Sequence, residues 1–315
     1  MTRPLDGTAP VIALDVGGTA MKGAVVEHSG VPTREYRWST PRRDGPDAVV
    51  DAVLRAIDEL VAATPSAAAV GLVVPGVVDD AAGVAVYSEN ILWHDVSFRD
   101  AIASRTGLPT AVGHDVRAGG AAEWLLGAGH QADDGLFLPI GTGISGALRV
   151  QGRFITHPLA GEIGHIDVGA DESCACGARG CLESIASAAA IARRYERASG
   201  STAINGAKGV CERMQAGDRI AQRVWAEAVS ALVRALTIYI SLLAPTIVVI
   251  GGGLSKAGDA LFDPLRKRLA DALIWQEQPM IARSTLGDNS GCIGAGILAL
   301  DLIGIQPATP IQDDQ

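Results

Sequence analysis

Two segments of the chain share the same succession of apolar runs and glycine-rich turns. Each consists of an apolar strand, a turn rich in glycine and a second apolar strand, and the two span residues 11–26 and 136–150. An offset of 124 residues aligns them and matches Leu14 with Leu138 and Gly17 with Gly141. A strand, a glycine turn and a second strand predict a β-hairpin. A hairpin of this kind in each half indicates a duplicated fold with two lobes.

The rest of the chain alternates between short apolar runs and longer segments with helical spacing. This alternation is typical of α/β proteins with largely buried sheets. The pattern predicts further strands at 69–74 and 246–250 and an irregular, Cys- and Gly-rich segment at 156–183. It predicts helices at 47–62, 98–106, 116–126, 184–198, 209–216, 218–243 and 291–302. The tail, 304–315, is predicted to be disordered.

Composition narrows the class of protein. The chain has 315 residues, of which 48% are hydrophobic and 19% are charged, so it can bury a core and is not a disordered chain. This length predicts about two domains. The net charge of −9 argues against nucleic-acid binding through a broad basic face.

One apolar stretch resembles a membrane span. It lies between Arg234 and Lys256, but Pro245 divides it and three glycines (251–253) end it. It therefore falls short of the ~20 uninterrupted apolar residues that a spanning helix needs, and it predicts a buried helix followed by a central strand. The first ten residues contain no apolar signal-peptide region. We expect a cytoplasmic protein that does not contact a membrane.

The two glycine turns carry residues that suit a phosphate site. Glycines let backbone N–H groups point into a turn, Thr19 and Lys22 add side-chain donors, and Asp15 can hold a hydrated Mg²⁺. An ordinary glycine hairpin explains the first turn equally well, but two such turns facing each other can clamp a triphosphate. The second turn, Gly141–Gly146, also satisfies the G-x-G-x-x-G pattern of dinucleotide sites. A strand rather than a helix follows it, so a dehydrogenase site is excluded.

Three cysteines lie close together in the irregular segment. Cys174, Cys176 and Cys181 fall within eight residues and begin nine positions after His165. Three cysteines and one histidine are a common ligand set for structural zinc, and in a cytoplasmic protein such a cluster favours metal over disulfides. The alternative is a set of reduced structural thiols. The other cysteines are expected to be buried apolar side chains: Cys211 and Cys292.

Three carboxylates occupy positions where catalysis is a reasonable hypothesis. Asp115 follows a predicted strand and begins a predicted helix, which makes it either a helix N-cap or a catalytic group at a strand end. Glu162 and Glu183 lie near the proposed metal ligands in sequence. Either glutamate could instead be a solvated surface residue.

Together, these motifs resemble the sugar kinases of the ROK family (repressors, open reading frames and kinases). The resemblance rests on DVGGT (15–19), VPGVVD (74–79), HD (114–115), GTGISG (141–146), GEIGH (161–165), CACGARGCLE (174–183) and GGGLS (251–255). It covers residues 11 to 300 and implies an α/β, actin-like ATPase (ribonuclease H-like) fold with two lobes and a central cleft. It implies a small N-terminal lobe, 1–115, completed by the C-terminal helix at about 291–303. Residues 116–290 would form the large lobe, which carries the zinc loop at 156–183.

The resemblance also implies roles for individual residues. Asp115 matches the catalytic base that accepts the proton of the attacking sugar hydroxyl. The substrate-binding residues implied are Gly76, Asn90, His114, Glu162, His165 and Glu183. The residues implied for ATP and Mg²⁺ are Asp15, Gly17, Gly18, Thr19, Lys22, Gly141, Thr142, Gly143, Gly252 and Gly253. The structural Zn²⁺ ligands implied are His165, Cys174, Cys176 and Cys181.

The implied activity is the ATP-dependent phosphorylation of the 6-hydroxyl of an aldohexose, with glucose or N-acetylglucosamine as the leading substrates. N-acetylmannosamine or another hexose is the alternative, and polyphosphate is an alternative donor. A sugar-sensing regulator of the same family is disfavoured because only fourteen residues precede Asp15, too few for a DNA-binding helix-turn-helix. We expect a homo-oligomer, either a dimer or a tetramer.

One residue departs from the family pattern. The family usually has Asn immediately before the catalytic Asp, whereas this chain has His114. Asn offers a donor and an acceptor to sugar hydroxyls, while a neutral imidazole offers one of each in a different place. We therefore expect His114 to lie near O3 or O4 of the sugar and to influence which hexose is used.

Overall fold

The computed structural model describes residues 9–202 and 205–306. They form two compact units. The first comprises the described residues up to Gly127, together with Thr156–Leu159 and the described residues from Asn289 onward. The second comprises Ala128–Ile155 and the described residues of Ala160–Asp288.

The first unit combines a mixed sheet with a small antiparallel sheet. Its strands up to Gly127 are β1 (Val11–Val16), β2 (Ala20–Val26), β3 (Pro32–Ser39), β4 (Val70–Val74), β5 (Val77–Asp79), β6 (Val84–Tyr87), β7 (His94–Val96) and β8 (Thr110–His114). Its helices in that range are α1 (Pro46–Ala63), α2 (Phe98–Thr106) and α3 (Asp115–Leu126). The mixed sheet has the order β3-β2-β1-β4-β8, and the small sheet has the order β5-β6-β7.

The second unit repeats this mixed sheet. Its strands are β9 (Gly135–Pro139), β10 (Ala147–Val150), β11 (Arg153–Phe154), β12 (Ile247–Gly251) and β13 (Met280–Arg283). Its helices are α4 (Leu182–Ala186), α5 (Ala188–Ser199), α6 (Gly206–Gln215), α7 (Arg219–Leu243) and α8 (Asp259–Ala272). The strand order is β11-β10-β9-β12-β13.

Both mixed sheets have the same strand directions as well as the same order. In each, the first three strands in sequence are antiparallel neighbours, and the next two strands run parallel to the first. This repeated topology is that of the actin-like ATPase (ribonuclease H-like) fold, so the predicted α/β fold class and the duplication are confirmed.

The last helix, α9 (Ser290–Leu302), belongs to the first unit, and its backbone lies directly against the backbones of α3 and β4. A Cβ atom at Gly294 would lie 2.3 Å from the carbonyl oxygen of Ala118 in α3, and one at Gly71 would lie 1.8 Å from that of Ala295. Only glycine permits so close an approach. Because α9 holds α3 in this way, the first unit extends to Gly127, whereas the boundary predicted from the sequence lies after Asp115.

The end of α9 also differs from the predicted limit of the tail. The amides of Gly304 and Ile305 donate to the carbonyls of Asp301 and Leu300, so the chain is still folded at these two residues. The segment predicted to be disordered began at 304; its part from 307 to 315 lies outside the described residues.

Several elements differ from those predicted. The helix predicted at 184–198 is two helices, because Ser187 ends α4 and caps α5 by accepting a hydrogen bond from the amide of Ala190. Helix α7 is, among the described helices, the one long and apolar enough to cross a membrane, and half of its most apolar window is buried. It packs into the core of the second unit and is followed by β12, as the sequence predicts.

The elements that the sequence pattern did not predict are β3, the small sheet β5-β6-β7, β11, α8 and β13.

We expect Gly294→Ala to destabilise the protein, because its methyl group would overlap the carbonyl of Ala118. Overpacking of this kind costs about 1–3 kcal/mol, which exceeds the ~1 kcal/mol that alanine contributes to helix propensity. Urea unfolding measures the difference. Leu302→Ala, on the same helix and 47% exposed, is the control and should change stability by less than about 0.5 kcal/mol. Unchanged stability in Gly294→Ala would contradict the close packing of α9.

Candidate active site

The first group of predicted site residues lies at the carboxyl edge of the first mixed sheet. Asp15 of β1 is paired with Val73 of β4, and Val73 is paired with Gly113 of β8. Asp115 follows β8 directly as the first residue of α3. The charges of Asp15 and Asp115 interact. The carboxyl ends of parallel strands are the usual location of ligand sites in α/β proteins.

Asp15 has an unusual environment for a carboxylate. Burial, reinforced by the charge of Asp115 and opposed by Lys22, raises the pKa of Asp15 to about 7. The first turn of α9 lies against this carboxyl group, since a Cβ atom at Gly291 would be 2.7 Å from its Oδ2 atom. A carboxyl group with this pKa gains charge readily when a cation binds beside it, which fits a magnesium ligand.

The glycine turn after β1 is held by hydrogen bonds within its own backbone and by Thr40, the residue that directly follows β3. The amide of Gly17 donates to the carbonyl of Ala20 at 3.0 Å. The hydroxyl of Thr40 donates to the carbonyl of Gly17 at 2.6 Å, and the Thr40 amide donates to the carbonyl of Thr19 at 3.1 Å. Thr40 was not among the predicted residues, because nothing in the local sequence connects it with a turn more than twenty residues earlier.

Two predicted substrate residues lie beside the small sheet. Gly76 follows β4 with a φ of +100°, and a Cβ atom there would lie 2.1 Å from the carbonyl oxygen of Tyr87 and 2.8 Å from Cα of Ser88. Glycine is therefore required at this turn. Asn90 is exposed in the loop that begins at Ser88, so the structure brings the Gly76 turn and the loop of Asn90 together.

The first turn of α3 holds two predicted residues in a network of hydrogen bonds. The Nδ1 atom of His114 accepts a hydrogen bond from the amide of Arg117 at 3.3 Å, which makes His114 the N-cap of the helix. The Oδ1 atom of Asp115 accepts from the amide of Val116 at 2.8 Å. Arg117 is buried and pairs with Asp80 at 2.8 Å. No local pattern predicts the Arg117–Asp80 pair, because its two members are far apart in the chain.

The second group of predicted residues surrounds the glycine turn after β9. The amide of Leu254 donates to the carbonyl of Ile140 at 3.0 Å, and the amide of Ile140 donates to that of Gly251 at 3.1 Å. A Cβ atom at Gly252, whose φ is +71°, would lie 2.5 Å from the carbonyl oxygen of Ile140. Gly252 and Gly253 therefore adjoin the turn that contains Gly141, Thr142 and Gly143.

The segment that carries Glu162 and His165 packs directly on this turn. A Cβ atom at Gly161 would lie 2.0 Å from the carbonyl oxygen of Gly146, and one at Gly164 would lie 2.1 Å from that of Ile144. The amide of Gly146 donates to the carbonyl of Gly161 at 2.7 Å. Glycines thus allow the two backbones to touch, and the backbone on either side of Gly164 is held beside the turn.

Glu183 connects α4 to the same glycine turn. Its Oε2 atom accepts a hydrogen bond from the amide of Ile144 at 2.7 Å. A Cβ atom at Gly143 would lie 2.5 Å from this oxygen, so the carboxylate fills the space that a side chain would need. Glu183 was predicted as a residue near the metal loop, and the structure also gives it this contact with the turn.

The four predicted metal ligands form a cluster. The candidate ligand atoms of His165, Cys174, Cys176 and Cys181 all lie within 4.8 Å of one another. The Sγ atoms of Cys176 and Cys181 are 3.7 Å apart, and Sγ of Cys174 is 3.7 Å from Nδ1 of His165. Two thiolates on one tetrahedral zinc ion, each with a Zn–S bond of about 2.3 Å, are separated by roughly 3.7 Å. The donor set and its spacing therefore fit zinc.

The electrostatics of this cluster also suit a cation. Burial and the neighbouring thiols raise the pKa of Cys181 to about 12, and hydrogen bonds from the backbone at Ala178 lower the pKa of Cys176. The other ring nitrogen of His165, Nε2, lies 3.9 Å from Oε2 of Glu162. One imidazole thus adjoins both the thiol cluster and a predicted sugar ligand. Cys211 and Cys292 are buried among apolar residues of α6 and α9, apart from this cluster.

Comparison with known proteins matches this chain to one protein family and to sugar kinases. The family described as "ROK family" matches residues 11–302. The glucokinase of Thermotoga maritima is 33% identical over 312 residues, covering 93% of this chain and 98% of that protein. The N-acetylmannosamine kinase of Escherichia coli O6:H1 is 28% identical over 306 residues, covering 93% and 99%. A crystal structure of a ROK family glucokinase from Streptomyces griseus, in complex with glucose and AMPPNP, superposes with a TM-score of 0.81 at 29% identity, covering 93% and 99%.

The raised pKa of Asp15 predicts a pH-dependent stability. A carboxyl group whose pKa rises from 3.8 to about 7 on folding holds its proton more tightly in the folded state, so stability is lost as the pH rises through this interval. Without divalent cation or nucleotide, Asp15→Asn should be more stable than the wild type at pH 8 by about 1–3 kcal/mol, the usual cost of a poorly compensated buried polar group. At pH 5.5 the difference should be smaller. Urea unfolding at both pH values measures it.

Asp58 provides the matched control for this measurement. The Arg105 guanidinium holds the pKa of Asp58 below its usual value, which is the opposite direction. Asp58→Asn should therefore not increase stability at either pH. A difference between Asp15→Asn and the wild type that stays constant from pH 5.5 to 8 would contradict the assignment.

Proposed function

Because the chain belongs to the ROK family, we propose that it is an ATP-dependent hexose kinase that phosphorylates the 6-hydroxyl of glucose or N-acetylglucosamine. The observation that carries the proposal is the pair of carboxylates, Asp15 and Asp115, at the carboxyl edge of the first sheet. Relatives named glucokinase support hexose phosphorylation by ATP. The N-acetylmannosamine kinase among the relatives favours that sugar as the second candidate. We further infer a cytoplasmic homo-oligomer.

In this proposal, Asp115 is the general base. It would accept the proton of the 6-hydroxyl as the oxygen attacks the terminal phosphorus of ATP. Its position at the first residue of α3 supports this role, since a helix N-terminus favours a negatively charged carboxylate. Phosphoryl transfer depends mainly on positioning and charge neutralisation, so a weak but well-oriented base is sufficient.

Each glycine turn offers donors that suit phosphate. Gly17, Gly18 and Thr19 offer backbone and hydroxyl donors in the first unit, and Gly141 to Gly143 offer them in the second. Asp15 would hold Mg²⁺ through its hydration shell, and the ion would neutralise phosphate charge. The readiness of Asp15 to change charge near pH 7 supports this role. Gly252 and Gly253, which adjoin the second turn, would face the adenosine.

The proposed sugar ligands are mainly polar side chains. Glu162, His165 and Glu183 would bind hydroxyls near O1 to O3, and Gly76 and Asn90 are the further residues proposed for the sugar. The orientation of the first three is supported by the close packing of residues 161–165 on the glycine turn and by the bond between Glu183 and Ile144. Carboxylates and imidazoles are suitable partners because each accepts from, or donates to, sugar hydroxyls with defined geometry.

We also propose that His165, Cys174, Cys176 and Cys181 bind one structural zinc ion. Zinc would neutralise the thiolates and fix the loop between them. His165 would bind the ion through Nδ1, which faces Cys174, and would present Nε2 toward Glu162. The metal would then orient the ring of a sugar ligand without itself taking part in the phosphoryl transfer.

A coupled assay of ADP release across a panel of hexoses tests the function. We expect turnover with glucose or N-acetylglucosamine, and we expect Asp115→Asn to lower kcat by about 100-fold or more because the base is lost. Sugar binding measured by calorimetry should change little in this variant. Asp58→Asn, on an exposed part of α1, is the control and should keep full activity. Turnover within about tenfold of the wild type in Asp115→Asn would reject the role of Asp115.

The zinc proposal predicts one zinc ion per chain in the purified protein, measured by elemental analysis. Cys176→Ser should lose most of this zinc and raise the KM for the sugar, because the loop that carries Glu162 and His165 loses its cross-link. Cys211→Ala, which changes a buried cysteine outside the cluster, should retain the metal. Wild-type protein that contains no zinc yet is fully active would refute the site.

A further inference from the structure

The side chain of His114 makes two contacts at the start of α3. It is 6% exposed, and its Nδ1 atom accepts a hydrogen bond from the amide of Arg117. Its Nε2 atom lies 3.5 Å from Oδ1 of Asp115. A neutral imidazole whose Nδ1 atom accepts a hydrogen bond carries its proton on Nε2. The ring nitrogen that faces the carboxylate is therefore the protonated one, at a distance longer than that of a normal hydrogen bond.

We propose that His114 is a positioning residue for Asp115, and that its place in this chain is explained by this contact rather than by direct recognition of O3 or O4 of the sugar. The inference rests on the proposed function, in which Asp115 is the base. The Oδ1 atom of Asp115 already accepts from the amide of Val116 at 2.8 Å. An imidazole N–H packed against the same oxygen restricts the rotation of the carboxylate and so defines the direction in which it meets a hydroxyl.

The helix cap is what fixes the imidazole. The amide that donates to Nδ1 belongs to Arg117, whose own side chain is buried and paired with Asp80 at 2.8 Å and with the carbonyl of Val78 at 3.5 Å. The donor residue is therefore held by a second set of contacts. The cap determines both the tautomer and the plane of the ring, so that one nitrogen stabilises the helix while the other contacts the base.

Substitution of His114 by asparagine or glutamine separates the helix cap from the contact with Asp115. The amide group of Asn reaches the position of Nδ1, and Asn is among the best N-caps, but it does not reach the position of Nε2. The amide of Gln reaches the position of Nε2 and can donate there, but it is too long to replace the cap. Asn at this position is thus expected to preserve the helix and lose the contact with Asp115, whereas Gln should preserve the contact and weaken the helix.

The experiment compares His114→Asn and His114→Gln with the wild type, on the hexose that the wild type uses best. We expect His114→Asn to remain as stable as the wild type and to lower kcat about tenfold, because the base is then no longer held in one orientation. Its KM for the sugar should stay within about twofold. We expect His114→Gln to unfold at a lower temperature and to keep kcat within about threefold of the wild type.

Direct recognition of the sugar would give a different result. His114→Asn would then change the KM for the sugar and the ratio of kcat/KM between C4 epimers, with kcat retained. That result would overturn the proposal, as would a folded His114→Gln that is as slow as His114→Asn. If His114→Asn does not fold, the kcat of His114→Gln decides. Asp218→Ala, which removes the N-cap of α7, is the control for helix destabilisation and should lower stability without changing kcat.

A measurement that needs no activity separates this inference from the proposed function. The ¹⁵N chemical shifts of the His114 ring in the ligand-free protein should show a proton on Nε2, and Asp115→Ala should move the Nε2 resonance. A proton on Nδ1, or a resonance that does not respond to Asp115→Ala, would overturn the positioning role. Failure of the wild type to phosphorylate any hexose would refute the proposed function instead.

Discussion

The candidate site depends on places where two backbones touch with no side chain between them. In the second unit, Gly161 and Gly164 lie so close to the glycine turn that a methyl group at either position would meet a carbonyl oxygen at 2.0 or 2.1 Å. In the first unit, Gly71 and Gly294 allow the same approach between α9 and its neighbours. Because protein interiors are close-packed and hardly compressible, these contacts hold the adjoining backbone segments in one position.

The two units share one sheet topology but carry different proposed site residues. In the first, the proposed carboxylates lie at or directly after the ends of strands. Asp15 is near the end of β1, and the helix that follows β8 starts with the proposed base. In the second, the chain between β11 and α4 is long and irregular, and it contains the proposed zinc ligands and two proposed sugar ligands. Most of that loop has no regular secondary structure, and a cross-link by a metal ion would restrict it further.

Structure could be predicted from the sequence where a residue type has one main structural use, as glycine has in tight turns and clustered cysteines have in metal sites. The glycine turns predicted both hairpins, and the cysteine spacing predicted the cluster with His165. Strand β3 was missed because its outward residues are charged and its inward ones, Tyr36 and Trp38, lie at a half-exposed edge. Ser187 divides two helices through a single hydrogen bond, which hydrophobic periodicity does not reveal. The contacts of Thr40 join residues that are distant in sequence, so no local pattern contains them. The roles of the individual site residues stay predictions.

The contact between Glu183 and Ile144 has a thermodynamic consequence. One carboxylate, two residues after the proposed metal ligand Cys181, accepts a hydrogen bond from the backbone of a turn proposed to bind phosphate. A ligand that reorients Glu183 therefore changes the stability of the turn's conformation. A ligand that reorganises the turn changes the stability of the Glu183 conformation in the same way. Linkage requires the two effects to be equal. The affinity for one substrate would then depend on the presence of the other, and by the same factor in both directions.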